Sequence, residues 1–449
     1  MCGIIGVIGD DDASQVLVDG LRRLEYRGYD SAGIATLVGG AVDRRRAPGK
    51  LNNLDETLRS EPLPGAIGIG HTRWATHGVP NETNAHPHIA GRVAVVHNGI
   101  IENFRSIKNE LGEQGARFAS DTDTEVVAHL LDRLLDQGLT VEKAMVALME
   151  RLEGMFALGF LIGGGEDVIV GARRGAPLAI GWGDGKMYLA SDAIALAPYT
   201  PQVTYLEEDD FVIVRRDGAD IFDGAGRKVS RPVINTNLSG AMIGKGNHRH
   251  FMKKEIHEQP TAVAETMARY LDPVFEEVTL PGLDVDFAKV PRVTLIACGT
   301  AYYSGLIGKY WLEQVARLPA EADVASEFRY RHAPMPEGGV AVFVSQSGET
   351  ADTLAALHYA RSQGQTIVTI TNTETSTMAR ESDVVLPTHA GPEIAVASTK
   401  AFTCQLTVLL SLAIAAAKAR GTLSDEELTK ATRALASLPS ELARALHIE

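Results

Sequence analysis

The sequence predicts an α/β protein of more than one domain: a mixed α/β domain rich in sheet up to about residue 220, and a doubly wound parallel sheet from about residue 290. Three observations carry this. The chain has 449 residues, too many for one ordinary core and enough for two to four domains. Its first half alternates short β-rich runs, bounded by glycine or charge, with stretches of helical spacing. Its second half repeats strand–turn–helix units with nearly continuous apolar strands, the pattern of a parallel sheet covered on both faces.

In the first half, Ile4–Ile8, Ala32–Leu37, Ala66–His71, Val93–His97, Phe156–Leu161 and Val168–Arg173 read as strands, and Ala13–Leu24 and Asp123–Gln137 as helices. From about 222 to 289 the pattern weakens. Gly224, Gly226, Gly240, Gly244 and Gly246 are scattered there, and Pro260 interrupts a helix candidate over Phe251–Tyr270. This stretch reads as an interdomain linker. In the second half the strands are Val293–Ala297, Ala322–Ala325, Val340–Val344, Ile367–Thr371 and Val384–Pro387, with helices over Ala301–Val315 and Thr350–Ser362. The boundaries that follow are 1–221, a linker 222–289, a second domain 290–430 and a charged helical tail 431–449.

Composition narrows the function classes. Hydrophobic residues are 45% and charged residues 22%, ordinary for a globular protein. The formal charge of −14, with no Lys/Arg-rich block, argues against nucleic acid as partner. The start has no basic segment or cleavage pattern of a secretory signal. The longest apolar run, Leu406–Ala417, is broken by Thr407 and Ser411 and reads as a buried helix, so no membrane partner and a cytoplasmic location are expected. The cysteines Cys2, Cys298 and Cys404 have no metal-ligand spacing and give no disulfide framework.

Cys2 stands apart. A small second residue permits removal of Met1, leaving Cys2 with a free α-amine whose ordinary pKa is about 7.7–8.0. One residue then supplies both a thiol nucleophile and its base. Downstream, His71–Gly78 leaves one strand, His97-Asn98-Gly99 leaves another, and Ser120–Glu125 opens a helix. Amide hydrolysis through a thioester needs an oxyanion hole, for which an Asn amide and a Gly N–H are suitable donors. An amino-acid substrate needs its carboxylate gripped, as Arg can, and its ammonium accepted, as Asp can. The plainer alternatives are a hairpin turn at Asn98-Gly99 and a helix cap at Asp123.

These strings resemble the class II glutamine amidotransferases, a family of amino-terminal-nucleophile hydrolases: Met-Cys-Gly-Ile at 1–4, Arg-Arg-Leu-Glu-Tyr-Arg-Gly-Tyr-Asp-Ser-Ala-Gly at 22–33, His-Thr-Arg-Trp-Ala-Thr-His-Gly at 71–78, His-Asn-Gly at 97–99 and Thr-Asp-Thr-Glu at 122–125. The resemblance implies a four-layer αββα sandwich over 1–221. It implies Cys2 as nucleophile, Asn98 and Gly99 as the oxyanion hole, Arg73, Thr76, His77 and Asp123 around glutamine, and Trp74 as an ammonia gate.

In the second half, two strand-to-helix turns have the chemistry of phosphate sites: Cys298-Gly299-Thr300-Ala301, and Ser345-Gln346-Ser347-Gly348-Glu349-Thr350. Ligands of doubly wound sheets sit outside the carboxyl ends of the strands, where helix amino termini offer unpaired N–H groups. Caps and turns are the plainer reading of the same hydroxyls. Ser-Gln-Ser-Gly-Glu-Thr at 345–350, Ala-Ser-Glu-Phe-Arg-Tyr at 325–330 and Val-Ala-Ser-Thr-Lys-Ala-Phe-Thr at 396–403 resemble the sugar isomerase (SIS) domains, a flavodoxin-like fold. That resemblance implies Thr300, Ser345, Gln346, Ser347 and Thr350 at the sugar phosphate, and Val396 and Ser398 at the sugar end. Position 301 is Ala where some relatives have Ser.

The order of the two domains, with Arg-His-Phe-Met-Lys-Lys-Glu-Ile-His-Glu-Gln-Pro at 249–260 between them, resembles the glutamine–fructose-6-phosphate aminotransferase (isomerizing) family. This implies L-glutamine and fructose 6-phosphate as substrates, glucosamine 6-phosphate and glutamate as products, ammonia channelled between the sites, no metal or organic cofactor, and a homo-oligomer, a dimer in the full-length family. That family carries two SIS domains; one is expected in this sequence and the second is expected to be absent. A glutaminase that uses fructose 6-phosphate only as an effector is the alternative expectation.

Overall fold

The computed structural model describes residues 2–9, 12–25, 28–75, 78–236, 245, 248–272 and 277–446. The chain forms two compact units, Met1–Gly244 and Lys245–Glu449.

The first unit is built on two stacked antiparallel sheets. One runs Ile234–Asn235, Gln202–Tyr205, Ala179–Trp182, Met187–Ala190, Gly3–Ile8, Ile67–Arg73, Ser31–Val38 and Ala41–Pro48 in spatial order. The other runs Lys228–Val229, Gly218–Phe222, Phe211–Arg215, Ile169–Arg174, Gly154–Ile162, Val93–Ile101 and His88–Ala90. Their facing sides close one apolar core, with Ile4, Ile8, Ile67 and Ile69 on one sheet and Ala94, Val96, Leu161 and Val212 on the other. The outer face of the second sheet packs helices Phe104–Glu113, Glu125–Asp136 and Val141–Arg151, with Val93, Val95, Leu158 and Phe160 of the sheet in one core with Leu111, Leu131 and Leu148 of the helices.

Helices Ala13–Leu24 and Leu51–Ser60 lie on the other side, completing four layers, αββα. Strand Val93–Ile101 shows why its sequence reads as an unbroken apolar run: alternate residues face a sheet and a helix layer, so both faces are buried. Helix Ala13–Leu24 starts where the Asp12 carboxylate accepts the Ser14 N–H at 3.0 Å. It buries Leu17, Leu21 and Leu24 completely, each contributing about 1.5–3 kcal/mol.

The second unit holds a five-stranded, wholly parallel sheet in the order Ala320–Val324, Val293–Ala297, Val340–Ser345, Thr366–Thr371, Val384–Pro387. In order of occurrence this is 2-1-3-4-5, the flavodoxin-like order, with its switch point between the first and third strands. Val293, Leu295, Val342 and Val344 face helices Gly299–Gln314 and Lys400–Arg420. Ile296, Ala341 and Phe343 face helices Ala325–Arg331 and Ala351–Ser362. Helix Lys400–Arg420 is long and apolar enough by composition to cross a membrane, and here Val408, Leu409, Leu412 and Ala413 bury it in this core.

Residues 222–289, expected as a linker, are shared between the units. Two short strands, Lys228–Val229 and Ile234–Asn235, join the sheets of the first. Helix Phe251–Met267 belongs to the second and packs with helix Asp425–Leu446 around Val263, Met267, Cys404 and Leu435. The expected break at Pro260 does not occur. Proline lacks the N–H that would reach the Ile256 carbonyl, and the Gln259 side-chain amide donates to that carbonyl instead, at 3.1 Å. The expected tail 431–449 is, as far as Leu446, part of helix Asp425–Leu446.

Candidate active site

The first strand, Gly3–Ile8, pairs with Ile67–Arg73 in a register that sets Gly3 opposite Thr72. Cys2 therefore sits beside Trp74, where that partner strand ends. The Trp74 N–H donates to Cys2 Sγ at 3.2 Å, and Sγ lies 3.6 Å from the Trp74 carbonyl. Burial pushes the Cys2 thiol up from its ordinary pKa, and the Trp74 N–H works against that rise. A thiol held this way stays protonated near neutral pH and needs a base before it can attack.

Asn98 and Gly99 do not form a hairpin turn. They lie within strand Val93–Ile101, paired with Ala157 and Phe156. Asn98 Nδ2 donates to the Cys2 carbonyl at 3.0 Å, leaving its second hydrogen for another acceptor. The amide cannot flip, because Asn98 Oδ1 lies 3.1 Å from His71 Nε2, which is also 2.9 Å from the His97 carbonyl. Both partners only accept, so His71 carries its proton on Nε2 and donates to both. Burial, the largest cause, lowers the His71 pKa to about 3 and keeps the ring neutral. Gly99 is required by its backbone: φ is +120°, and a Cβ there would stand 2.0 Å from the Met155 carbonyl oxygen.

Asp123 does not cap the helix that follows it. Its Oδ2 accepts the Ile101 N–H at 2.8 Å, which ties it to the end of the Asn98 strand. The loop before it is fixed by Glu125, whose carboxylate accepts the Ala119 and Ser120 N–H groups at 2.7–3.1 Å. Arg73 is buried and donates to the Gly78 carbonyl at 3.2 Å. Cys2, Arg73, Trp74, Gly99 and Asp123 all line one small cleft, with His86, His97, Thr122 and Thr124. Trp74 is 41% exposed at its rim and meets Tyr29 edge-on at 5.5 Å. Thr76 and His77 lie outside the described residues.

One feature was not legible in the sequence. His71, His86, His88 and His97 are all buried. The His71 and His86 rings are 4.2 Å apart, and those of His86 and His88 4.7 Å. Thr124 Oγ1 sits 2.9 Å from both His86 Nε2 and His97 Nδ1, and Thr122 Oγ1 is 3.1 Å from His88 Nε2. Burial, above all, holds His86 and His88 well below the ordinary histidine pKa. The only sequence signal was a histidine closing each of two apolar strands, at His71 and His97.

In the second unit both turns leave adjacent strand ends at the switch point, since Ala297 is in register with Val344. Thr300 is exposed in the first turn of helix Gly299–Gln314. In the other turn Ser345 Oγ accepts the Gly348 N–H at 3.0 Å and lies 3.3 Å from Thr350 Oγ1, while Ser347 Oγ accepts the Glu349 N–H at 3.2 Å. Gly348 has φ +65° and packs so tightly that a Cβ would stand 2.0 Å from Ser376 Oγ. Gln346 and Ser347 are half-buried. Asn372, at the end of the fourth strand, joins this turn to a later loop: its N–H donates to the Gln346 carbonyl at 3.2 Å, and its side chain bonds Ala390 N at 2.9 Å and the Gly391 carbonyl at 2.8 Å. That loop carries Val396, 65% exposed, and Ser398, whose hydroxyl donates to Glu393 at 3.0 Å.

Residues 71–198 match the family model of a glutamine amidotransferase domain, and residues 286–415 that of a SIS domain. The glutamine–fructose-6-phosphate aminotransferase [isomerizing] of Mesorhizobium japonicum is 58% identical over 449 residues, covering 100% of this chain and 74% of the relative. Its namesake from Bradyrhizobium diazoefficiens is 57% identical over 450 residues, with the same coverage. A solved structure, the C-terminal domain of glucosamine-fructose-6-phosphate aminotransferase from Francisella tularensis, is 40% identical over 44% of this chain and 55% of its own, with a TM-score of 0.42. The chain belongs to the glutamine–fructose-6-phosphate aminotransferase (isomerizing) family.

Proposed function

We propose that this enzyme hydrolyses L-glutamine at Cys2 and transfers the ammonia to fructose 6-phosphate, giving glutamate and glucosamine 6-phosphate. The observation that carries the reading is the convergence of Cys2, Arg73, Gly99 and Asp123 on one cleft, with the Asn98 amide fixed against Cys2. With Met1 removed, the Cys2 amine takes the thiol proton, and Sγ attacks the side-chain amide carbon of glutamine. The free hydrogen of Asn98 Nδ2 and the Gly99 N–H meet the oxyanion. The ammonium formed at Cys2 returns the proton to the leaving nitrogen, ammonia departs, and water releases glutamate from the thioester. Arg73 pairs with the substrate carboxylate and Asp123 with its ammonium, with Thr76 and His77 beside them. Trp74 gates the departing ammonia.

In the second unit, the Ser345–Thr350 turn and Thr300 hold the phosphate of fructose 6-phosphate, and Val396 and Ser398 border the sugar. Ammonia adds to the C2 carbonyl of the sugar there and water leaves to give an imine, and moving a proton from C1 to C2 gives the amino aldose. The enzyme works in the cytoplasm as a homo-oligomer. The test is a two-product assay on the purified chain. Glutamine and fructose 6-phosphate together are expected to yield glutamate and glucosamine 6-phosphate in equal amounts. Glutamate without amino sugar would instead favour the effector role for fructose 6-phosphate.

A further inference from the structure

The 249–260 segment has no part in the chemistry above, yet its helix, Phe251–Met267, is bonded along its length to the loop that carries Val396 and Ser398. Glu255 is the centre of this. It is 1% exposed, and its Oε1 accepts the N–H groups of Ile394 at 2.6 Å and Ala395 at 3.1 Å, with Oε2 3.2 Å from the latter. These two N–H groups immediately precede Val396. Five other contacts support the same loop and the helix after it. Thr266 Oγ1 accepts the His389 N–H at 3.0 Å. Glu258 accepts from Lys400, which is 3% exposed, at 2.7 Å, and Gln259 Oε1 accepts from Thr403 at 2.7 Å. Within the loop, Glu393 accepts the Thr399 and Ala401 N–H groups at 2.8 and 3.1 Å. On the loop's other side Asn372 ties it to the Gln346 carbonyl of the phosphate turn.

A buried carboxylate is costly unless its oxygens are filled with donors. Here the donors are the backbone of a loop whose next side chain, Val396, projects into solvent. We infer that Glu255 is a positioning residue for the sugar end of the site: it fixes the backbone at Ile394 and Ala395 so that Val396 and Ser398 are presented in one place relative to the Ser345–Thr350 turn. The inference rests on the sugar-phosphate reading of that turn.

The test measures fructose 6-phosphate binding to the full chain by titration calorimetry, for the unaltered protein, Glu255→Ala and Glu255→Gln. Amide hydrogen exchange is followed alongside. Removing the acceptor in Glu255→Ala is expected to weaken binding roughly tenfold or more, the scale of losing hydrogen bonds to a charged group. Exchange should quicken at 389–396 while strand Val340–Ser345 stays protected. Glu255→Gln keeps an Oε1 that can receive both N–H groups and should recover most of the binding, which a lost charge alone would not allow. Wild-type affinity in Glu255→Ala overturns the inference and leaves the sugar-phosphate reading intact. So does a Glu255→Gln protein that keeps its strand protection yet binds no better than the alanine variant. Absence of binding by the unaltered chain removes the sugar-phosphate reading, and this inference with it.

Discussion

Acid should weaken the first unit steeply, and the buried histidines set the amount. His71, His86 and His88 are neutral in the folded chain, with His71 lowered to about 3 and the other two well below the ordinary value, burial being the main cause for each. In the unfolded chain each titrates near 6.5. Their folded pKa values are depressed, so the stability they contribute is complete above pH 6.5 and is lost as pH falls toward the folded values. Between pH 7.5 and 5.5 the unfolded state gains nearly one proton per histidine that the folded state does not. This costs about 1.4 kcal/mol each, or about 4 kcal/mol for the three. The assay is urea unfolding at pH 7.5, 6.5 and 5.5 in a Trp311→Phe background, so that fluorescence comes from Trp74 and Trp182 of the first unit. The slope of stability against pH should approach three protons below pH 6, and His88→Gln should lower it by about one. Stability that stays level or rises on acidification would refute the reasoning.

Other variants test the pocket directly. His71→Leu removes the donor that orients the Asn98 amide, and is expected to lower glutaminase kcat by roughly a hundredfold, the scale of losing one oxyanion donor, with little change in KM for glutamine. A rise in KM at unchanged kcat would contradict this. Gly99→Ala places a methyl 2.0 Å from the Met155 carbonyl at φ +120°; it should lower the stability of the first unit by about 3 kcal/mol or more in the same urea assay, and a wild-type midpoint would count against the close approach of the two strands at Gly99.

Much of this was legible from residue order alone. The five parallel strands and most of their covering helices followed from apolar runs bounded by turns, because strands buried on both faces carry no polar alternation; helix Ala325–Arg331 was not among them. The residues that meet at the Cys2 cleft were picked out by motif, although Cys2 and Asn98 stand far apart in sequence. What was not legible depends on tertiary partners. Strands of two residues, Lys228–Val229 and Ile234–Asn235, have no periodicity to read. Pro260 signals a helix break, and only the neighbouring Gln259 amide, by filling the exposed carbonyl, removes that reason. The histidine cluster gathers His71, His88 and His97 from three strands and His86 from the turn before one of them, and nothing in their local sequence says that Thr122 and Thr124 will meet them. Glu255 reads as one more polar residue of a helix until its partners, Ile394 and Ala395, are seen.

The central claim is that one residue, Cys2, is both nucleophile and base. It is tested most directly by treating the purified enzyme with a glutamine analogue whose side chain ends in an electrophilic ketone, then mapping the modified peptides by mass. The account predicts an amino-terminal peptide that begins at Cys2, without Met1, and carries the label on its sulfur, with Cys298 and Cys404 unmodified. Label on either of those cysteines, or a retained Met1 in an enzyme of full glutaminase activity, would contradict it.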